Sequence, residues 1–159
     1  MGRKKFLMYL FIIGVIAGWV VPAQALGVEL YIPATSAKPG KTVAVPVMID
    51  HVDNLAGIKI VLKYDAKILT FTRGSRTKHT DELMHVVNDK NPGALIIVMA
   101  GARGIQGTNI PLFILNFRVH ENVSGSVNTR IEVPEIELMS DKLKGIECAV
   151  RTEPVFISP

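Results

Sequence analysis

The segment Lys41–Asp50, KTVAVPVMID, places Val43, Val45, Val47 and Ile49 at every second position. A second run, Gly57–Tyr64, puts Ile58, Ile60, Leu62 and Tyr64 on one parity and Lys59, Val61 and Lys63 on the other. A strand turns its side chains to opposite faces residue by residue, so a period of two predicts one buried and one wet face. A helix would need apolar residues three and four apart, and no convincing stretch keeps that spacing over three turns. Whatever this chain folds into, it must pair strands.

Further strand signals recur along the chain: VELYI, with Val28, Leu30 and Ile32 inward, then DAKILTF, ELMHVV, ALIIVMA, PLFILNFRV, VNTRIEV and GIECAV. Between them AKPGK, the polar TRGSRTKHTD, DKNPG, GARGIQGTN, ENVSGS and SDKLKG supply turn residues. Pro46 cannot donate to a ladder, so its strand is expected at an edge or beside a bulge. The pattern predicts an all-β, antiparallel β-sandwich of about nine strands with jelly-roll topology.

The first 25 residues read differently. Arg3, Lys4 and Lys5 precede an apolar run from Phe6 to Val21, then Pro22 and Ala23-Gln24-Ala25. This is the arrangement of a secretory signal with a small-x-small cleavage site, and the run falls short of the roughly 17–25 residues that span a bilayer. The expectation is a signal peptide over 1–25 and one domain over 26–159, placing the protein outside the cell, at its surface or in a periplasm. Cleavage removes three of the 18 basic groups and none of the 14 acidic ones, leaving a nearly neutral chain. The pI near 9.3 is therefore no argument for nucleic acid. Cys148 is the single cysteine, which excludes an internal disulfide, and its parity with Ile146 and Val150 reads as a buried thiol.

The usual chemical sites find little support. His51, His79, His85 and His120 have no ligand spacing, and NDKNPG lacks the terminal Glu of an EF-hand loop. Asp50, Asp53 and Asn54 are at most a weak calcium site. Glu132, Glu135 and Glu137 would serve glycoside hydrolysis only across a cleft, which nothing in the pattern predicts. Arg73, Arg76, Lys78 and His79 form a basic loop without interleaved aromatics, best read as solvated. The reading is that the protein is not an enzyme.

An ordered set of pieces narrows the family. Pro39-Gly40, Thr42-Val43, Val45-Pro46-Val47, Asn54-Leu55-Ala56-Gly57, Tyr64-Asp65 and Ile68-Leu69 follow one another, with GTNIPLFILNFRV and IELMSDKLKGIECAV later. This set resembles the cohesin domain of cellulosome-type assemblies. The resemblance implies a partner that carries a dockerin, with any calcium on that dockerin and no cofactor on this chain. It implies contact through one flat sheet, here Lys59, Val61 and Lys63, then Asn128, Arg130 and Glu132, and the loop residues Asn88, Asp89 and Lys90. Family members often carry Asn or Asp where this chain has Gly57 and Lys59, so an acidic helical face is the expected complement to Lys59 and Lys63.

Two features stay open at this level. ALIIVMA has no alternation, which predicts burial on both faces or a partner on one. Either Leu95, Ile97 and Met99 or Ile96 and Val98 would meet that partner. A carbohydrate-binding module on the same sandwich is the alternative reading. It needs exposed rings, and only Tyr31, Phe71 and Phe156 are candidates.

Overall fold

The computed structural model describes residues 27–159; the expected signal segment lies outside them. Eleven strands follow in order: β1 (Val28–Ile32), β2 (Thr35–Ala37), β3 (Thr42–Lys63), β4 (Leu69–Arg76), β5 (Met84–Asn88), β6 (Ala94–Val119), β7 (Val127–Arg130), β8 (Glu132–Ser140), β9 (Gly145–Ile146), β10 (Cys148–Thr152) and β11 (Pro154–Ile157). The described residues contain no helix, as the period-two pattern requires. The fold is a β-sandwich of jelly-roll type.

Two long strands organise it. β3 and β6 run antiparallel from Thr42↔Arg118 to Lys63↔Ala94, with register shifts at Val47/Met48, Val52/Leu55 and Leu55/Gly57. The last two shifts exchange the buried parity of β3. Val43, Val45, Val47 and Ile49 are buried before them, and Ile58, Ile60 and Leu62 after. Bulges bend a strand and re-aim its side chains, so the sheet turns over and both stretches line one core. On one side lie β10, β1, the first part of β3, the last part of β6, and β4; on the other lie β5, the first part of β6, the last part of β3, β8 and β9. A separate three-stranded sheet orders β2, β11 and β7.

The structure revises several expectations. GARGIQGTN is not a turn between two strands but the bent middle of β6. TRGSR is not loop either: β4 continues through Arg76. Polar and glycine-rich composition marked both as connections, yet each pairs with a neighbouring strand. Not every pairing is antiparallel, since β1–β10 and β2–β11 run parallel and bring the first and last strands together. Pro46 is accommodated as expected, one residue before the Val47/Met48 shift and outside the stretch where β1 pairs with β3. Cys148 is half-buried, and burial pushes its thiol up, but Val150 on the same parity is exposed.

The core is aliphatic with two fully buried rings, Phe113 and Phe117. Tyr64 and Phe71 meet Phe117 edge-on, at centroid distances of 5.0 and 5.7 Å, a favoured geometry for aromatic pairs. Two Pro-Gly pairs set tight turns. Gly40 and Gly93 have φ of 72° and 87°, and the turns close through Lys41 N–H to Lys38 C=O and Ala94 N–H to Asn91 C=O. Proline followed by a residue of positive φ is the type II arrangement, which strongly favours glycine at the second place. Asp65 accepts the Lys67 N–H at 2.8 Å in the turn after β3, the role expected of it.

Gly74 on β4 is required for close approach. A Cβ there would lie 2.3 Å from Cε1 of the buried Phe113 ring. Substitution G74A is expected to lower stability by about 1–3 kcal/mol, the usual cost of overpacking a dense core, read as a lower urea midpoint at unchanged slope. An unchanged midpoint would show that the Phe113 ring moves freely aside.

Candidate interaction face

The outer face of β5, β6, β3 and β8 is one four-strand grid. Its rows follow from the register: Met84–Ala100–Gly57–Met139, then Val86–Val98–Lys59–Glu137, then Asn88–Ile96–Val61–Glu135. Ile58 and Ile60 of β3, Leu95, Ile97 and Met99 of β6 and Leu138 of β8 enter the core, so the alternate side chains face outward; on β5 the opposite parity is a half-buried Val87 and an exposed His85. Leu95, Ile97 and Met99 are buried. Of the two parities of ALIIVMA, Ile96 and Val98 are the exposed one.

The face is unusually apolar for a wet surface. Of the eight large apolar side chains exposed among the described residues, Met84, Val86, Ile96, Val98 and Met139 lie on it, with Met84 at 78% and Val86 at 67% exposure. A contiguous exposed apolar patch signals an interaction site more strongly than scattered single residues do. Leu143, in the turn after β8, adds another exposed apolar side chain and holds a positive φ of 56°.

The charged half is arranged around Lys59. Its ammonium donates to Glu135 Oε1 at 2.5 Å and to Glu137 Oε1 at 2.9 Å. Those bonds raise the Lys59 pKa above the ordinary lysine range, the Glu135 bond contributing most, and the same lysine holds Glu135 below the ordinary carboxylate range. Lys59 is therefore not an unneutralised cation on this face, its charge being met within the chain by two carboxylates. A lowered carboxyl is also the reverse of what a general acid requires, so the β8 glutamates hold a lysine across a flat sheet.

The other nominated residues fall around this grid. Val61 lies within it, between Ile96 and Glu135. Asn88 ends β5 and accepts the Lys90 N–H through its side chain at 3.2 Å, which folds Asp89 and Lys90 into the turn toward β6. Lys63, Asn128, Arg130 and Glu132 line an open groove beside Tyr64 and Asp65. Asn128 and Arg130 sit on β7, in the three-stranded sheet, outside the grid.

Met84, Val86 and Met139 are not among the residues nominated above, and Glu135 and Glu137 are named there only as carboxylates for hydrolysis. A signal for the acids was present: Glu135-x-Glu137 alternates with the same period as Lys59-x-Val61-x-Lys63, as facing strands of opposite charge do. Which strand lies next to which is a matter of topology, and the alternation alone does not contain it.

Comparison with known proteins supplies the family. No curated protein matches the chain. Among solved structures, the sixth cohesin of scaffoldin B from Acetivibrio cellulolyticus, in complex with a dockerin, superposes with a TM-score of 0.74 at 18% identity, covering 83% of this chain and 98% of that one. A non-cellulosomal cohesin from the archaeon Archaeoglobus fulgidus gives 0.73 at 19% identity, over 84% and 92% of the two chains. The solution structure of CaCohA2 from Clostridium acetobutylicum gives 0.69 at 24% identity, over 83% and 90%. These likenesses establish a shared fold. The cohesin domain model matches residues 28–153, nearly the whole of the described sandwich, and the chain belongs to the cohesin domain family.

Proposed function

We propose that this cohesin is a secreted, non-catalytic recognition module that binds a dockerin-bearing partner in a polysaccharide-degrading or cell-surface assembly. The observation that carries the reading is the patch of Met84, Val86, Ile96 and Val98, exposed side by side on one sheet beside the Lys59–Glu135–Glu137 cluster. An apolar centre with a polar margin is the composition of a protein interface. The relative from Acetivibrio was solved with a dockerin bound, and so was a type I cohesin from Clostridium thermocellum. Val61, Lys63, Asn88, Asp89 and Lys90 would lie within or beside the footprint, with Asn128, Arg130 and Glu132 at its margin. Secretion is supported by the signal pattern of residues 1–25, and no helix among the described residues is long and apolar enough to cross a membrane.

Carbohydrate binding is less well supported. Sugar rings stack on exposed aromatics, and Phe156 is the aromatic among the exposed large apolar side chains described. Tyr31 lies under the Arg151 guanidinium, 5.1 Å from the ring centroid, and Phe71 packs on Phe117.

Isothermal titration against calcium-loaded dockerins from the same genome is expected to give saturable binding to at least one; silence across all of them would defeat the proposal. Substitutions V86D and V98D should each weaken that binding at least about tenfold, roughly 1.4 kcal/mol. V150D, on an exposed valine of β10 away from the face, should leave it unchanged.

The charged cluster has its own pH signature. The Glu135 carboxyl is lowered in the folded protein, so its pairing with Lys59 favours the fold at neutral pH. That benefit is lost as pH falls through the lowered value. In K59M, carboxyl-carbon NMR should show Glu135 titrating higher, toward the ordinary range. Identical titration curves in the two proteins would exclude the pairing.

A further inference from the structure

We propose that the free edge of β5 pairs antiparallel with β5 of a second copy of this chain, about a twofold axis at Val86. Among the described residues, β5 ends its side of the sheet and pairs only with β6. An uncovered edge offers N–H and C=O groups to any passing strand, and proteins block such edges with charge, proline, bulges or brevity. The other edges described here follow that rule. β4 carries Arg73, Arg76 and a register shift between Phe71 and Arg73. β10 carries Arg151, β7 ends on Arg130, β9 has two residues, and β2 has three before Lys38-Pro39. β5 reads Met-His-Val-Val-Asn and holds unbroken register with β6 over all five residues, with no charge, proline or bulge.

Charge selects both the occupant and the register. A twofold axis normal to the sheet keeps outward side chains on one face, so one residue of β5 must face its own copy across the axis. With Val86 there, valine meets valine and Met84 meets Asn88. The Glu82 end of one strand then comes beside the Lys90 end of the other, twice by symmetry. A centre at His85 sets Asp81 against Asp89, and a centre at Val87 sets Met84 against Lys90. Only the Val86 centre pairs opposite charges at both ends. Lys90 makes no ion pair among the described residues, and Glu82 makes one exposed contact of 3.6 Å with Arg103.

Pairing of this kind leaves the outer face open and places two apolar patches side by side. A five-residue edge buries far less than the roughly 1,200–2,000 Å² of stable interfaces, so the dimer is weak and concentration-dependent. The proposal is independent of any dockerin.

Sedimentation equilibrium of the exported protein is expected to show mass rising from monomer toward dimer with concentration. E82K and K90E should each weaken dimerisation at least tenfold, and the double variant E82K/K90E should restore it. A monomer at every concentration up to about 1 mM, or a double variant no better than the singles, would overturn the proposal. Oxidation adds a second reading in a C148S background. V86C should form a reducible dimer, because facing strand residues have the Cα separation a disulfide needs. V98C, one strand further in, should not; cross-linking through V98C but not V86C would mean that faces meet instead of edges.

Discussion

The antiparallel pairing of β3 with β6 carries the rest of the molecule. Each strand is too long to serve one flat sheet, and each is bent where its register with the other slips, around Val52–Gly57 and Ala100–Gly107. The bends coincide with the change of buried parity, so one pair of strands supplies inward side chains to both sides of the core. Every other strand of the larger sheet is attached, directly or through one neighbour, to this pair. Ile60, Leu62, Leu95 and Ile97 on one side and Val45, Val47, Leu115 and Phe117 on the other are all fully buried. The apolar surface removed from water there is the dominant favourable contribution to folding.

Much of this was legible in the sequence, and for a physical reason. Alternation identifies an exposed strand face directly, so Val43–Ile49 and Ile58–Leu62 declared their inward sides. Pro39-Gly40 and Pro92-Gly93 declared their turns, because few residue pairs satisfy that backbone. The middle of β6 was hidden because GARGIQGTN has the composition of a loop, while its pairing with β3 depends on residues some fifty positions away. β4 was misread past Phe71 for a similar reason: Gly74 is needed for the Phe113 ring and not for a turn.

The candidate site was less legible than the fold. Lys59 and Lys63 look alike in sequence, two cations on one wet parity. The structure separates them, because Lys59 meets Glu135 and Glu137 across a strand boundary while Lys63 lines a groove with Arg130 and Glu132. The apolar half of the face was visible only as a missing alternation in ALIIVMA. Topology then chose Ile96 and Val98 over their neighbours and placed Met84 and Val86 beside them. The parity that carries Lys59 borders an aliphatic surface, and the Lys59 charge is balanced by two carboxylates of β8.

The parallel ladders between the first and last strands bear on how the domain would respond to a pull on its two ends. β1 meets β10 over five residues and β2 meets β11 over three, all running in the same direction. Traction applied to the two ends of the domain would drag these strands lengthwise past each other. The bonds of each ladder would then strain together instead of opening one by one like a zipper.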